Sequence, residues 1–198
     1  MNDTSHIDIT HHRASYNNHH HECLEGGMYK TQCELGDRLY ALSVLEDIDK
    51  NIRYLISHLL DKYGVKHPRY GRYIKNMQRD YKSSSIRETH PLEQGETSYV
   101  INNGDIMSLC IRYYAGGDSI AYHDINTLMF VSLHELSHIA AEDTTHEPIF
   151  WDVFKWILKE AVMIGLYRPV DYGRQPHEYC GKMYITFQPL YAPYLNDI

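Results

Sequence analysis

A chain of 198 residues with a 43% hydrophobic fraction is long enough to bury the core of one domain. Its formal net charge of -7 argues against non-specific nucleic-acid binding over the whole surface. No apolar run approaches the roughly 18 residues of a membrane helix; the best stretches, 128–133 and 161–167, are broken by Ser132 and Gly165, and the first residues show no apolar signal-peptide core.

Residues 1–35 are polar, with His6, His11, His12, His19, His20 and His21 scattered among Asn, Ser, Thr and Gly. They are expected to form a disordered tail before a single domain over 36–198. A second metal site, or a lid that places a tail His over an open metal position, is a lesser reading of the same stretch. From Leu39, the series Leu42, Leu45, Ile48, Ile52, Leu55 and Leu59 recurs at spacings of three and four. This predicts one amphipathic helix stopped by Gly64. After Pro68, Tyr70, Ile74, Met77 and Tyr81 repeat at the helical period, and Arg72, Lys75, Arg79 and Lys82 share the other face. Segment 66–87 holds seven Lys/Arg against one acid, Asp80. The plain reading is a solvated helix face; the sharper one is a weak nucleic-acid contact through Arg72–Lys82.

The period then changes to two. Residues 98–101, a turn at 102–105 containing Asn103-Gly104, and 106–113 predict a β-hairpin. A short third strand at 119–122 would give an edge on which an extended peptide can add. Asp124 or Asn126 caps the next helix, which runs through Leu128, Met129, Val131 and Leu133 and ends near 142–145. Pro148 suits the first turn of a following helix, whose face is Phe150, Phe154, Ile157, Leu158, Ala161 and Ile164. Residues 182–187 read as a strand. Cys23, Cys33, Cys110 and Cys180 show neither C-x-x-C spacing nor disulfide density, so reduced thiols are expected.

Chemistry concentrates at 133–151, LHELSHIAAEDTTHEPIFW. Residues four apart share a helix face, so His134 and His138 project together and can hold one cation. Glu135 lies about 100° round the helix, placed to act on a bound water without ligating. The chain has 14 His, which raises the chance of a fortuitous H-E-x-x-H, but burying two His and a Glu without partners would be costly. A catalytic zinc takes three protein ligands. His146 is placed to be the third, with Glu160 and Asp143 as rivals.

The same stretch resembles the WLM and SprT-like zinc metallopeptidases, in which H-E-L-x-H is followed by a third His and an aromatic pair, here His146, Phe150 and Trp151. HDINTLMFVSLHELSHIA, FWDVFKWILKEAVMIGLYRPVDY and EYCGKMYIT are similar to WLM-type proteins encoded by nucleocytoplasmic large DNA viruses, and the likeness covers residues 40–191. The seven residues between His138 and His146 exceed the gap of cellular WLM proteases, and Ala141 and Thr144 break the metzincin pattern. The resemblance implies an α+β, zincin-like fold: a small antiparallel sheet packed on the HExxH helix, with flanking helices. It implies Zn2+ held by His134, His138 and His146, peptide-bond hydrolysis with Glu135 as general base, and Tyr179 as oxyanion stabiliser. Met183 is a lesser candidate for the hydrophobic base under the metal. Expected partners are a protein or peptide substrate and other virion proteins, without a membrane. The expected place is the cytoplasm or nucleus of an infected host cell, or the virion. The alternatives are a virion-associated structural protein that keeps the fold and metal without significant proteolysis, and a metal-dependent hydrolase of a non-peptide bond.

Overall fold

The computed structural model describes residues 22–24, 28–93, 97–181 and 183–192. The histidines at 6–21, with the metal site and lid considered for them, lie outside the described residues. The fold is α+β. Its largest sheet has the order β1 (Glu22–Leu24), β2 (Lys30–Gln32), β3 (Ile86–Glu88), β5 (Ile106–Leu109), β4 (Tyr99–Ile101). The domain takes in 22–24 and 30–35, which the sequence assigns to a tail. The sheet is mixed, because β2 pairs with β3 and β3 with β5 in parallel, while β1–β2 and β4–β5 are antiparallel. The sequence gives no strand pattern at 86–88, yet that segment joins the two halves of the sheet. A buried ion pair fixes the join. Arg112 and Glu88, both fully buried, meet at 2.6 Å, and Arg112 also donates to the Gln32 and Leu35 carbonyls.

Helix α1 (Arg38–Tyr63) is the long amphipathic helix that its leucine spacing predicts, ended at Gly64 with φ 73°. Its buried stripe begins at Ala41, whereas Leu39, at the head of the predicted series, is 80% exposed. Each fully buried Leu or Ile of the stripe contributes on the order of 2 kcal/mol by removal from water. Helix α2 (Gly71–Asp80) buries Tyr73, Ile74 and Met77. Gly71 is required there, since a Cβ would stand 2.3 Å from the Val65 carbonyl oxygen. Of the basic face, Arg79 pairs with Asp80 and Glu142, and Lys82 lies 3.9 Å from Asp105. The local charge count missed these neighbours because two of them come from distant segments.

The hairpin β4–β5 turns through Asn102, Asn103 and Gly104, all at positive φ. A side chain at Gly104 would meet the Asp80 carbonyl oxygen at 2.6 Å. The expected strand 106–113 breaks at Cys110 and Ile111. β6 (Arg112–Tyr114) then pairs with β7 (Ile120–Tyr122) in a separate hairpin, so the edge of the main sheet beside the hairpin turn is β4, not 119–122. Helix α3 (Ile125–Ala141) is capped by Asp124, whose carboxylate accepts from the Thr127 N–H at 3.0 Å. Every residue from Thr127 to Ala140 is buried, as befits a helix packed on all sides. It lies against β4 and β5 and touches α1, α2 and α4 (Pro148–Met163). A last hairpin, β8 (His177–Tyr179) with β9 (Met183–Ile185), covers the start of β4.

The expectation of reduced thiols is overturned: Cys110 and Cys180 form a disulfide, and Cys33 is disulfide-bonded as well. A separation of 70 residues carries no sequence signal. The fold brings the β5–β6 junction and the β8–β9 turn together.

Candidate metal centre

Helix α3 presents His134 and His138 one turn apart, and the segment that follows folds back to add a third imidazole. Glu142 ends the helix in the left-handed region at φ 53°, its N–H donating to the His138 carbonyl. The Asp143 carboxylate then accepts from the Thr145 N–H at 2.6 Å and from the Thr145 hydroxyl at 3.1 Å. This tight Asx-type turn hands the chain to His146, itself at φ 57°. Left-handed backbone at two non-glycine residues costs free energy, and such strain gathers at functional sites. Pro148 then starts α4 with the φ its ring fixes.

The three Nε2 atoms converge. His134 Nε2 lies 3.0 Å from His146 Nε2 and 3.2 Å from His138 Nε2. One ring N–H can serve only one of those contacts, whereas a single cation satisfies all three lone pairs. Ligands at about 2.05 Å from a tetrahedral zinc stand about 3.3 Å from one another, so the donor set fits such an ion. His138 Nδ1 faces the Asp143 carbonyl oxygen. A carbonyl only accepts, so Nδ1 carries the proton and Nε2 is left as a lone pair aimed at the centre. Among the described residues this is the one group of three His, Cys, Asp or Glu side chains near enough to hold a metal ion together.

Aromatic rings of α4 frame the site. Phe150 stacks on His138 at 4.3 Å and meets His134 and His146 edge-on at 4.8 and 4.7 Å, and Trp151 stacks on His146 at 5.5 Å. Phe154 closes the side of His134 at 5.2 Å. His134 and His138 are buried, His146 half-buried and Glu135 fully buried. Asn76 of α2 donates to the Ala140 carbonyl at 2.9 Å and holds the end of α3.

The rival ligands are engaged elsewhere. Glu160 accepts from Lys62 at 2.9 Å and from the Tyr63 hydroxyl at 2.7 Å, with His58 at 3.0 Å. Burial raises its pKa, but those hydrogen bonds prevail and hold the carboxyl below its ordinary range. Asp143 is used in the turn and orients His138 through its carbonyl. Tyr179 is buried beside the centre, but its hydroxyl lies 2.8 Å from the Cys110 carbonyl oxygen and 2.9 Å from Ser98 Oγ. The carbonyl accepts the phenolic O–H, so Tyr179 makes a different bond from the oxyanion contact that the resemblance implies. Burial pushes its phenol up from the usual value; the Ser98 hydrogen bond opposes and the Glu135 carboxylate adds to the rise. Met183 lines the cavity beside His134. Sequence reasoning missed Ser98, Asp143 and Asn76 as supports. Only Asp143 carried a signal, as an Asp-x-Thr turn after the helix.

No known family profile matches the chain, and no solved structure matches it. The chain is 33% identical over 141 residues to an uncharacterized protein of Acanthamoeba polyphaga mimivirus, covering 71% of this chain and 69% of that one. It is 40% identical over 76 residues to an uncharacterized protein of Invertebrate iridescent virus 6, and 38% identical over 76 residues to one of Invertebrate iridescent virus 3. Those two matches span 38% of this chain each, and 42% and 45% of the respective relatives, under half of either.

Proposed function

This chain belongs to the viral protein family of the mimivirus relative, and we propose that it is a zinc-dependent metallopeptidase that hydrolyses peptide bonds. The observation that carries the reading is the convergence of three imidazoles, with His138 fixed in its ligand tautomer, beside the buried Glu135. His134, His138 and His146 would hold the ion. When bound, zinc supplies a Lewis acid and makes water acidic enough to yield a nucleophile near neutral pH. Glu135 takes a proton at its carboxylate as water adds to the peptide carbonyl, then gives it to the leaving amine nitrogen. Phe150, Trp151 and Phe154 keep the imidazoles in place and exclude bulk water. Edge strand β4 offers its outer side to an extended peptide. Tyr179, bonded to Cys110, builds the wall and becomes an oxyanion donor only if substrate displaces that bond. The viral relatives and the disulfide together favour packaging in a virion, since disulfides persist on virion surfaces and are rare in a reducing cytosol.

A second reading, a virion structural protein that keeps this fold and metal without proteolysis, is favoured by the burial of His134 and His138, which leaves little room above them. Metal content by elemental mass spectrometry and peptide hydrolysis decide between the two. The peptidase reading expects near one zinc per chain, lost or much weakened in His146→Ala. Glu135→Gln keeps the zinc and loses hydrolysis by on the order of 100-fold or more. Zinc without hydrolysis of any peptide in the wild type supports the structural reading. No zinc after reconstitution overturns both.

A further inference from the structure

Beside His134 lies a cavity of about 20 Å3 that the chemistry above does not use. Its floor is Phe130 and Val131, one turn before His134 on the same helix face, and its walls are the Tyr179 ring, Met183 and Ile185, with Thr97 and Ser98 at the head of β4. We propose that this cavity is the specificity pocket of the site and takes one small aliphatic side chain, of alanine to valine size, from the residue next to the bond attacked. The proposal rests on the peptidase reading and names its substrate class.

Three observations carry it. The first is position: the ligand His134 forms part of the cavity wall, so whatever fills it adjoins the reacting centre. The second is chemistry. The wall hydroxyls are engaged: Tyr179 and Ser98 hydroxyls meet at 2.9 Å, Ser98 Oγ accepts from the Cys110 N–H at 3.1 Å, and Thr97 Oγ1 donates to Met183 Sδ at 3.1 Å. Among the described wall residues the hydroxyls are already engaged, so a polar or charged side chain would be buried there at a cost. The third is size. About one probe sphere is enough for a single water, so 20 Å3 admits a methyl or little more unless a wall yields. The wall that can yield is Met183. It is half-buried on the short hairpin strand β9, unbranched, and held to Thr97 by a weak sulfur contact. It therefore sets the upper limit.

The test reads affinity rather than turnover. Two series of hydroxamates, with the side chain on the carbonyl side or on the amine side of the chelating group, would carry the side chains of glycine, alanine, valine, leucine and phenylalanine. Binding to the zinc-loaded chain is measured by calorimetry. In one series alanine or valine should bind about tenfold or more tighter than glycine, and phenylalanine should fall back. In Met183→Ala the optimum should move to leucine or phenylalanine by a similar factor. Side chains that bind alike in both series, or an optimum unmoved by Met183→Ala, overturn the pocket; if peptides are still cleaved, the peptidase reading stands without it. A clear order with no peptide cleaved overturns the peptidase reading and with it the pocket's role in peptide specificity, leaving only a side-chain site beside the metal. Hydroxamates that do not bind at all overturn both.

Discussion

Two polar clusters in this molecule each gather histidine and acidic groups between helices, and they solve burial differently. At Glu160, α4 is joined to α1 by a carboxylate that receives Lys62, Tyr63 and His58, so the charge is answered inside the chain. At the C-terminal end of α3, three imidazoles bring their Nε2 atoms together, with the lone pair of His138 fixed by its Nδ1 bond. The first cluster is complete as a protein. The second is the arrangement that we propose takes a cation. A glutamate or histidine at plausible spacing is thus not yet a ligand; what matters is whether its own donors already surround it.

The sharpest break of this contrast is a pair of substitutions. His138→Ala should abolish zinc binding and with it the stabilisation that zinc confers, about 4 kcal/mol when zinc exceeds its Kd a thousandfold, read as the shift in Tm on adding metal. Glu160→Ala should keep the full zinc content and still lose about 3 kcal/mol in urea unfolding, because it strips a buried partner from Lys62, Tyr63 and His58; Lys62 can swing into water, which keeps the loss at the low end. A Glu160 variant that loses its zinc would reverse the assignment. Acid provides a finer probe. Burial pulls His123 down to about 4, with His177 adding and Asp124 opposing, and its Nε2 accepts the Cys180 N–H at 3.0 Å. The folded state then binds fewer protons than the unfolded one between about pH 6.5 and 4, so stability rises with pH across that window. Falling from pH 6.5 to 5 should cost about 1.5 kcal/mol in zinc-free protein, and His123→Gln should flatten that slope. Smallest is Asn76→Ala, about 1 kcal/mol, with faster hydrogen exchange at the last turn of α3.

Much of this was legible in the chain. The helical periods of α1, α3 and α4, the Asp124 cap, Pro148 and the His134/His138 pair follow from local rules, and local rules act over a turn or two. His146 is the third ligand that the sequence favours, but the physical ground for preferring it to Glu160 and Asp143 is not local. That choice depends on α1 reaching Glu160 from about 100 residues away and on a turn at 142–146 with two left-handed residues. The parallel pairing through β3, the Arg112–Glu88 pair and the Cys110–Cys180 bond are non-local, and no spacing announces them. Tyr179 is named from the resemblance as an oxyanion stabiliser, whereas the bond its hydroxyl makes to the Cys110 carbonyl depends on the same long-range closure.

That closure has a consequence for the chain as a connected object. With Cys110 joined to Cys180, the backbone from one to the other is a covalent ring of about 70 residues that contains α3, α4 and all three converging histidines. Even unfolded, the ring keeps the imidazoles nearer together than an open chain would, and by loop entropy alone it disfavours the unfolded state by about 4 kcal/mol. It also changes what a protease can do to the protein. A cut in the exposed 115–119 turn opens the ring without dividing the molecule, so the nicked protein migrates as one species until reductant is added and as two fragments afterwards.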